Sequence, residues 1–124
     1  MKRIITTTDA PAAIGPYSQA VEANGTLYIS GQIPLDPQTS ELVSGDIKVQ
    51  TEQVIRNINA ILKAAGYEVS QIVKTTCYLE NLNDFQKFNE VYATWIQHKP
   101  ARATVEVRRL PRNVKVEIEA IAVK

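Results

Sequence analysis

Only two stretches of this chain carry apolar residues at helical spacing, against six that read as strands, so helices can cover no more than one face of the sheet. Asp46 suits the N-cap of the first helix. Val54, Ile55, Ile58, Ile61, Leu62 and Ala65 follow at helical spacing, and Gly66 supplies a left-handed stop. Asn83 suits the cap of the second, with Gln86 three positions on and Phe85, Phe88, Tyr92, Trp95 and Ile96 as its apolar stripe. The β-like runs are "KRIITT", Ser18 to Glu22, Thr26 to Gln32, "QIVKTTCYL", Ala103 to Arg108 and Val114 to Val123. Asn24-Gly25 marks a hairpin, and "RLPRN" suits a second hairpin joining the last two strands. "APAAIGP" and "PLDPQTSELVSG" read as loops. The order β-β-β-α-β-α-β-β predicts an α+β fold: a six-stranded, mostly antiparallel sheet with both helices on one face. The other face must be solvated or meet another subunit.

Composition narrows the function classes. The 124 residues make one domain, 1–124, with no internal repeat or linker-like segment. A net charge of +1 advertises neither nucleic acid nor anionic lipid as a partner. Cys77 is the single cysteine, so neither an internal disulfide nor a redox pair is expected. The N-terminus starts basic but meets Thr, Asp and Pro before any apolar run, unlike a secretory signal, and no stretch approaches the ~20 apolar residues of a membrane span. A cytoplasmic protein without metal or cofactor is the expectation: there is no zinc-type cluster, no glycine-rich phosphate loop and one histidine.

The stretch "HKPARATVEVRR" places a permanent cation, Arg102, at the start of a strand. By strand parity Arg102, Thr104 and Glu106 share one face, and Ala103, Val105 and Val107 the other. In "VKVEIEAIAV" the glutamates Glu117 and Glu119 lie opposite Val116, Ile118, Ala120 and Ala122. With the apolar sets toward the helices, Arg102 and both glutamates fall on one outer face within cross-strand reach. Two readings stand at this point. One is a solvated ion pair of little energetic value. The other is a clamp in which the planar guanidinium grips a ligand carboxylate while a glutamate holds a water.

Several segments in order ("GPYSQA", "YISGQIP", "ILKAAG", "IVKTTCYLENLNDF", "FNEVY", "PARATVEV" and "LPRNVKVEIEAIAV") resemble the RidA family, also called YjgF/YER057c/UK114, over nearly the whole chain. The resemblance implies a chorismate-mutase-like fold, a homotrimer with sites between subunits, and an enamine/imine deaminase. Such an enzyme hydrolyses 2-iminobutanoate and 2-iminopropanoate to 2-oxo acids and ammonia. It also implies that Arg102 of "PAR" binds the substrate carboxylate and that Glu117 of "EIEA" positions water. Tyr17, Ser30, Gly31 and Asn89 match further cleft positions. Thr104 stands where many members carry cysteine, so no reactive thiol is expected there. The stretch between Asn89 and Pro100 looks shorter than in some members.

Each residue also has a plain structural reading. Tyr17 can pack beside the Gly15-Pro16 turn, Ser30 and Gly31 can mark a strand end or a bulge, Asn89 can border the helix stripe, and Thr104 is an ordinary strand residue. Cys77 reads as a small buried hydrophobe, and His98 as a cation suited to a helix C-terminus. Two other functions use features of this chain. Arg108, Arg109, Arg112 and Lys115 cluster near the last turn, as a ribonuclease or translation inhibitor would use, though no basic stripe interleaves with aromatics. A non-catalytic trimer binding small carboxylates would use the same Arg102.

Overall fold

The computed structural model describes residues 1–124. Its strands are β1 (Lys2–Ile5), β2 (Ala20–Ala23), β3 (Thr26–Gln32), β4 (Ile72–Leu79), β5 (Ala101–Glu106) and β6 (Val116–Val123), with helices α1 (Ile47–Ala65) and α2 (Phe85–Trp95). They form one six-stranded sheet in the order β1-β2-β3-β6-β4-β5. Every pairing is antiparallel except β4 with β5. The expected α+β architecture holds.

α1 forms as its sequence dictates. Asp46 Oδ1 accepts the Val49 amide at 3.0 Å, and Gly66 ends the helix in the left-handed region at φ 80°. Ile47, Val54, Ile58, Ile61 and Leu62 are buried against Leu27, Ile29, Ile118, Ala120 and Ala122 of the sheet. The start of α2 differs from expectation. Asn83 lies inside a 3-10 turn, Leu82–Asp84, whose own cap is Asn81, with Asn81 Oδ1 accepting the Asn83 amide at 2.8 Å. α2 grows directly out of that turn, so it needs no side-chain cap of its own. It also ends at Trp95, leaving His98 beyond it, where Nε2 lies 2.8 Å from the Ile72 carbonyl.

The second expected hairpin does not form. After β5 the chain passes through the 3-10 turn Pro111–Asn113, where Arg112 and Asn113 take φ 55° and 56°. β6 then enters between β3 and β4, while β5 pairs parallel to β4 at the sheet edge.

One face of the sheet carries the core. Ile5, Ala20, Ile29 and Ala120 are successive cross-strand neighbours, all buried toward the helices. The next row, Ile4, Val21, Tyr28 and Ile121, points the other way. Ile4 there is 67% exposed and Tyr28 50%, and no element of the chain covers this face. No helix is long and apolar enough to cross a membrane.

Candidate functional site

The β4–β5 register decides where the cation goes. Thr75, Cys77 and Leu79 are buried toward the helices and lie opposite Arg102, Thr104 and Glu106. Arg102 and Thr104 therefore face the helix side, and Ala101, Ala103 and Val105 face outward. Glu117 lies opposite Tyr78, on the uncovered face. The expectation that Arg102 and the two glutamates share an outer face is overturned. β4 separates β5 from β6, and the small apolar side of β5 is the one turned away from the helices.

Two constellations result. At the β5 edge the Arg102 guanidinium lies against α2. Its Nη1 donates to Asn89 Oδ1 at 2.7 Å, and Cζ sits 4.7 Å from the Tyr92 ring centroid and 5.5 Å from that of Phe85. The remaining N–H groups form no ion pair or hydrogen bond within the chain. They open on a cleft of about 500 Å³ whose walls include Asn89, Tyr92, Ala93, Ile96 and Pro100. Thr104, two residues along, has a buried hydroxyl with no partner, a group that calls for a ligand or water. Cys77 beside it is no nucleophile, since burial pushes its thiol up to about 11.

On the other face β3 bulges. Ile29 pairs with Ala120 and Gln32 with Ile118, so Ser30 and Gly31 together oppose Glu119. The Ser30 amide donates to the Gln19 carbonyl, and Ser30 Oγ to the Ser18 carbonyl at 2.6 Å. That ties the bulge to the segment carrying Tyr17, which is 54% exposed. Glu117 packs on Gly31: a Cβ there would stand 2.9 Å from Glu117 Cδ and closer still to Oε2. Burial first, then the Glu119 charge, holds the Glu117 carboxyl above its ordinary value of 4.5. A half-buried carboxyl with a raised proton affinity can hold and deprotonate a water.

Of the residues expected at a site, Arg102, Asn89 and Thr104 thus assemble on the helix face at one edge. Ser30, Gly31 and Glu117 gather at the bulge on the face opposite, with Tyr17 in the segment that Ser30 ties down. Within one chain the two sets do not meet. The seat of the guanidinium is Phe85 and Tyr92, residues that the sequence alone places in the apolar stripe of α2. The signal was the spacing of Phe85, Asn89 and Tyr92 at i, i+4 and i+7, which puts two rings and an amide on one helix face.

The model of the family described as endoribonuclease L-PSP matches residues 7–124. A RutC family protein of Pyrococcus horikoshii is 58% identical over 100% of this chain and 99% of its own. The mouse protein named 2-iminobutanoate/2-iminopropanoate deaminase is 51% identical over 100% of this chain and 93% of its own. A crystal structure of Escherichia coli TdcF with bound serine, 45% identical, covers 98% of each chain with a TM-score of 0.94.

Proposed function

Because the chain belongs to the endoribonuclease L-PSP (RidA) family, we propose that it is a deaminase hydrolysing small 2-imino acids, such as 2-iminobutanoate and 2-iminopropanoate, to 2-oxo acids and ammonia. The observation that carries the reading is Arg102, a guanidinium with no anionic partner in its own chain, facing a cleft. A carboxylate on the ligand completes it with two parallel N–H···O bonds. The serine in the similar TdcF structure is a small molecule of that class.

In the mechanism, Arg102 fixes the carboxylate, and the unpartnered Thr104 hydroxyl lies two residues along on the same face of β5. Glu117 holds a water against the electrophilic carbon and takes its proton as the C–O bond forms. Glu117 returns that proton to the nitrogen, giving the carbinolamine. The hydroxyl proton then passes to the same nitrogen as the C–N bond breaks, so ammonia leaves with both water protons, the C=O bond forms and Glu117 is again a carboxylate. Water is consumed, no electrons change hands, and no metal or covalent intermediate is needed for that balance.

Arg102 and Glu117 lie on opposite faces of one sheet, so this chemistry needs a second copy of the chain. The proposed assembly is a homotrimer in which the uncovered face of one subunit, with Glu117, Gly31 and Tyr17, meets the β5 edge of the next. The outward row of exposed Ile4 and Tyr28 and half-buried Val21 and Ile121 is apolar enough to be buried there. Sedimentation at micromolar concentration tests the assembly, and a monomer alone refutes it. The activity is tested by generating 2-iminobutanoate with a threonine dehydratase. Acceleration of its loss beyond the spontaneous rate is expected, and no acceleration sinks the reading.

Ribonuclease action is the second reading, supported by the family's name, endoribonuclease L-PSP, and by exposed Arg108, Arg109 and Arg112. Its signature is RNA binding that weakens steeply with salt.

A further inference from the structure

Arg102 is held without any opposing charge. The groups nearest its guanidinium are two aromatic rings and a neutral amide, all from α2. Neither ring nor amide cancels the cation, so an arriving carboxylate is its first anionic partner. An aspartate in the place of Asn89 would occupy the same N–H groups and compete with the ligand.

Of the two rings, Tyr92 is the one with fixed bearings. It is 8% exposed, against 37% for Phe85. Its hydroxyl lies 2.7 Å from Thr75 Oγ1, a buried contact. Trp95 meets its ring edge-on at 5.7 Å, and Phe88 lies tilted at 5.6 Å. Thr75 is also the residue directly opposite Arg102 in the β4–β5 ladder. The geometry closes a circuit: the Arg102 backbone pairs with Thr75, Thr75 anchors Tyr92, and the Tyr92 ring lies against the Arg102 guanidinium.

We propose that Tyr92, anchored by Thr75, is a positioning residue that fixes the guanidinium of Arg102 so that its free N–H groups face the cleft as a carboxylate receptor. The inference rests on the reading of Arg102 as a carboxylate clamp and extends it to groups that touch no substrate. An arginine at an exposed sheet edge otherwise samples many rotamers, and each ligand would have to order it. The circuit sets that order in advance. Thr75 is part of the device because its hydroxyl fixes where the ring lies.

The test is a double-mutant cycle on the full-length protein, with 2-oxobutanoate as the ligand and its affinity read by ligand-observed NMR titration. Tyr92→Leu removes the ring and is expected to weaken binding about tenfold, while Tyr92→Phe keeps the ring, loses the Thr75 contact and weakens it about threefold. In an Arg102→Met background, Tyr92→Leu should add nothing, because the residue acts only through the guanidinium. Equal losses in both backgrounds would show a merely structural role and overturn the proposal, as would unchanged affinity of Tyr92→Leu in the natural background. If Tyr92→Leu fails to fold, Thr75→Val replaces it in the cycle, with about a threefold loss expected beside Arg102 and none beside Met. Equal loss in both backgrounds again overturns the circuit. Because the readout is binding, absence of imine hydrolysis would sink the deaminase reading while leaving this coupling to stand or fall on its own numbers.

Discussion

Gly31 and Glu117 share one volume: the space a Cβ would take on Gly31 is filled by the Glu117 carboxyl, whose Cδ lies 2.9 Å from that point. The glycine is needed for room rather than for backbone freedom, since its φ lies outside the left-handed region. The bulge at Ser30 and Gly31 and the placement of the acid on β6 are therefore one feature.

Gly31→Ala should accordingly displace the carboxyl while leaving the cation seat on the opposite face intact. The expected outcome is a fall in kcat of about a hundredfold, the scale of a lost general base, with 2-oxobutanoate affinity within about twofold of the natural protein. Steady-state kinetics alongside ligand titration separates the two effects. Equal loss of turnover and binding would mean that the bulge supports the fold and not the acid.

The pH profile follows from the same carboxyl. Glu117 must be ionised to hold and deprotonate water, and burial and Glu119 both oppose its ionisation. The acidic limb of kcat/KM should thus have its midpoint above the ordinary carboxylate value of 4.5. Glu119→Gln removes the weaker of the two causes, so the limb should move toward acid. Stability runs the opposite way. A carboxyl whose folded pKa is raised favours the fold below its unfolded value and loses that contribution as pH rises through the folded one. Glu117→Gln should therefore melt above the natural protein at neutral pH, and the gap should close as pH falls below the unfolded carboxylate value. A gap independent of pH would contradict the assignment.

How far the sequence reaches depends on which physics decides each element. α1 was legible because its cap, stripe and stop are all local: Asp46, Ile58 and Gly66 act within their own helix. β3 and the Asn24-Gly25 turn were legible for the same reason. β5 was not. Its small residues alternate with Arg102, Thr104 and Glu106, and parity alone sends the polar set outward. Two non-local facts reverse that. β5 is an edge strand paired to β4, and the uncovered face of the sheet is itself apolar at Tyr28 and Ile121. Neither fact leaves a mark in the "PARATVEV" string. The candidate residues could thus be named from sequence, while their division between two faces could not.

Asn57 offers a check on the long segment between β3 and α1. It is fully buried, and its Nδ2 donates to the carbonyls of Ile33 and Leu35 at 3.2 and 3.0 Å, while Oδ1 accepts from Gln53 Nε2 at 3.0 Å. Asn57→Ala strands two backbone acceptors and one side-chain donor in the interior. A loss of about 2–3 kcal/mol is expected, measured as a lower urea midpoint at unchanged slope. A change within about 0.5 kcal/mol, the scale of neutral surface substitutions, would show that water replaces the amide at little cost.

Sharing of the site between copies can be read by mixing two inactive proteins. Arg102→Ala lacks the clamp and Glu117→Gln the base, so each homo-oligomer should be inactive. In a mixed oligomer, the clamp of a Glu117→Gln subunit can face the base of an Arg102→Ala subunit. Random assembly from equal amounts makes roughly a quarter of such interfaces complete on the symmetry of a closed ring. Activity should then return to about that fraction of the natural protein's after joint unfolding and refolding, and not after simple mixing of preformed oligomers that do not exchange. If each site were built within one chain, joint refolding would restore nothing, because every chain carries one lesion. The sheet geometry favours the first outcome: β4 stands between the strands bearing Arg102 and Glu117, and their side chains leave it in opposite directions.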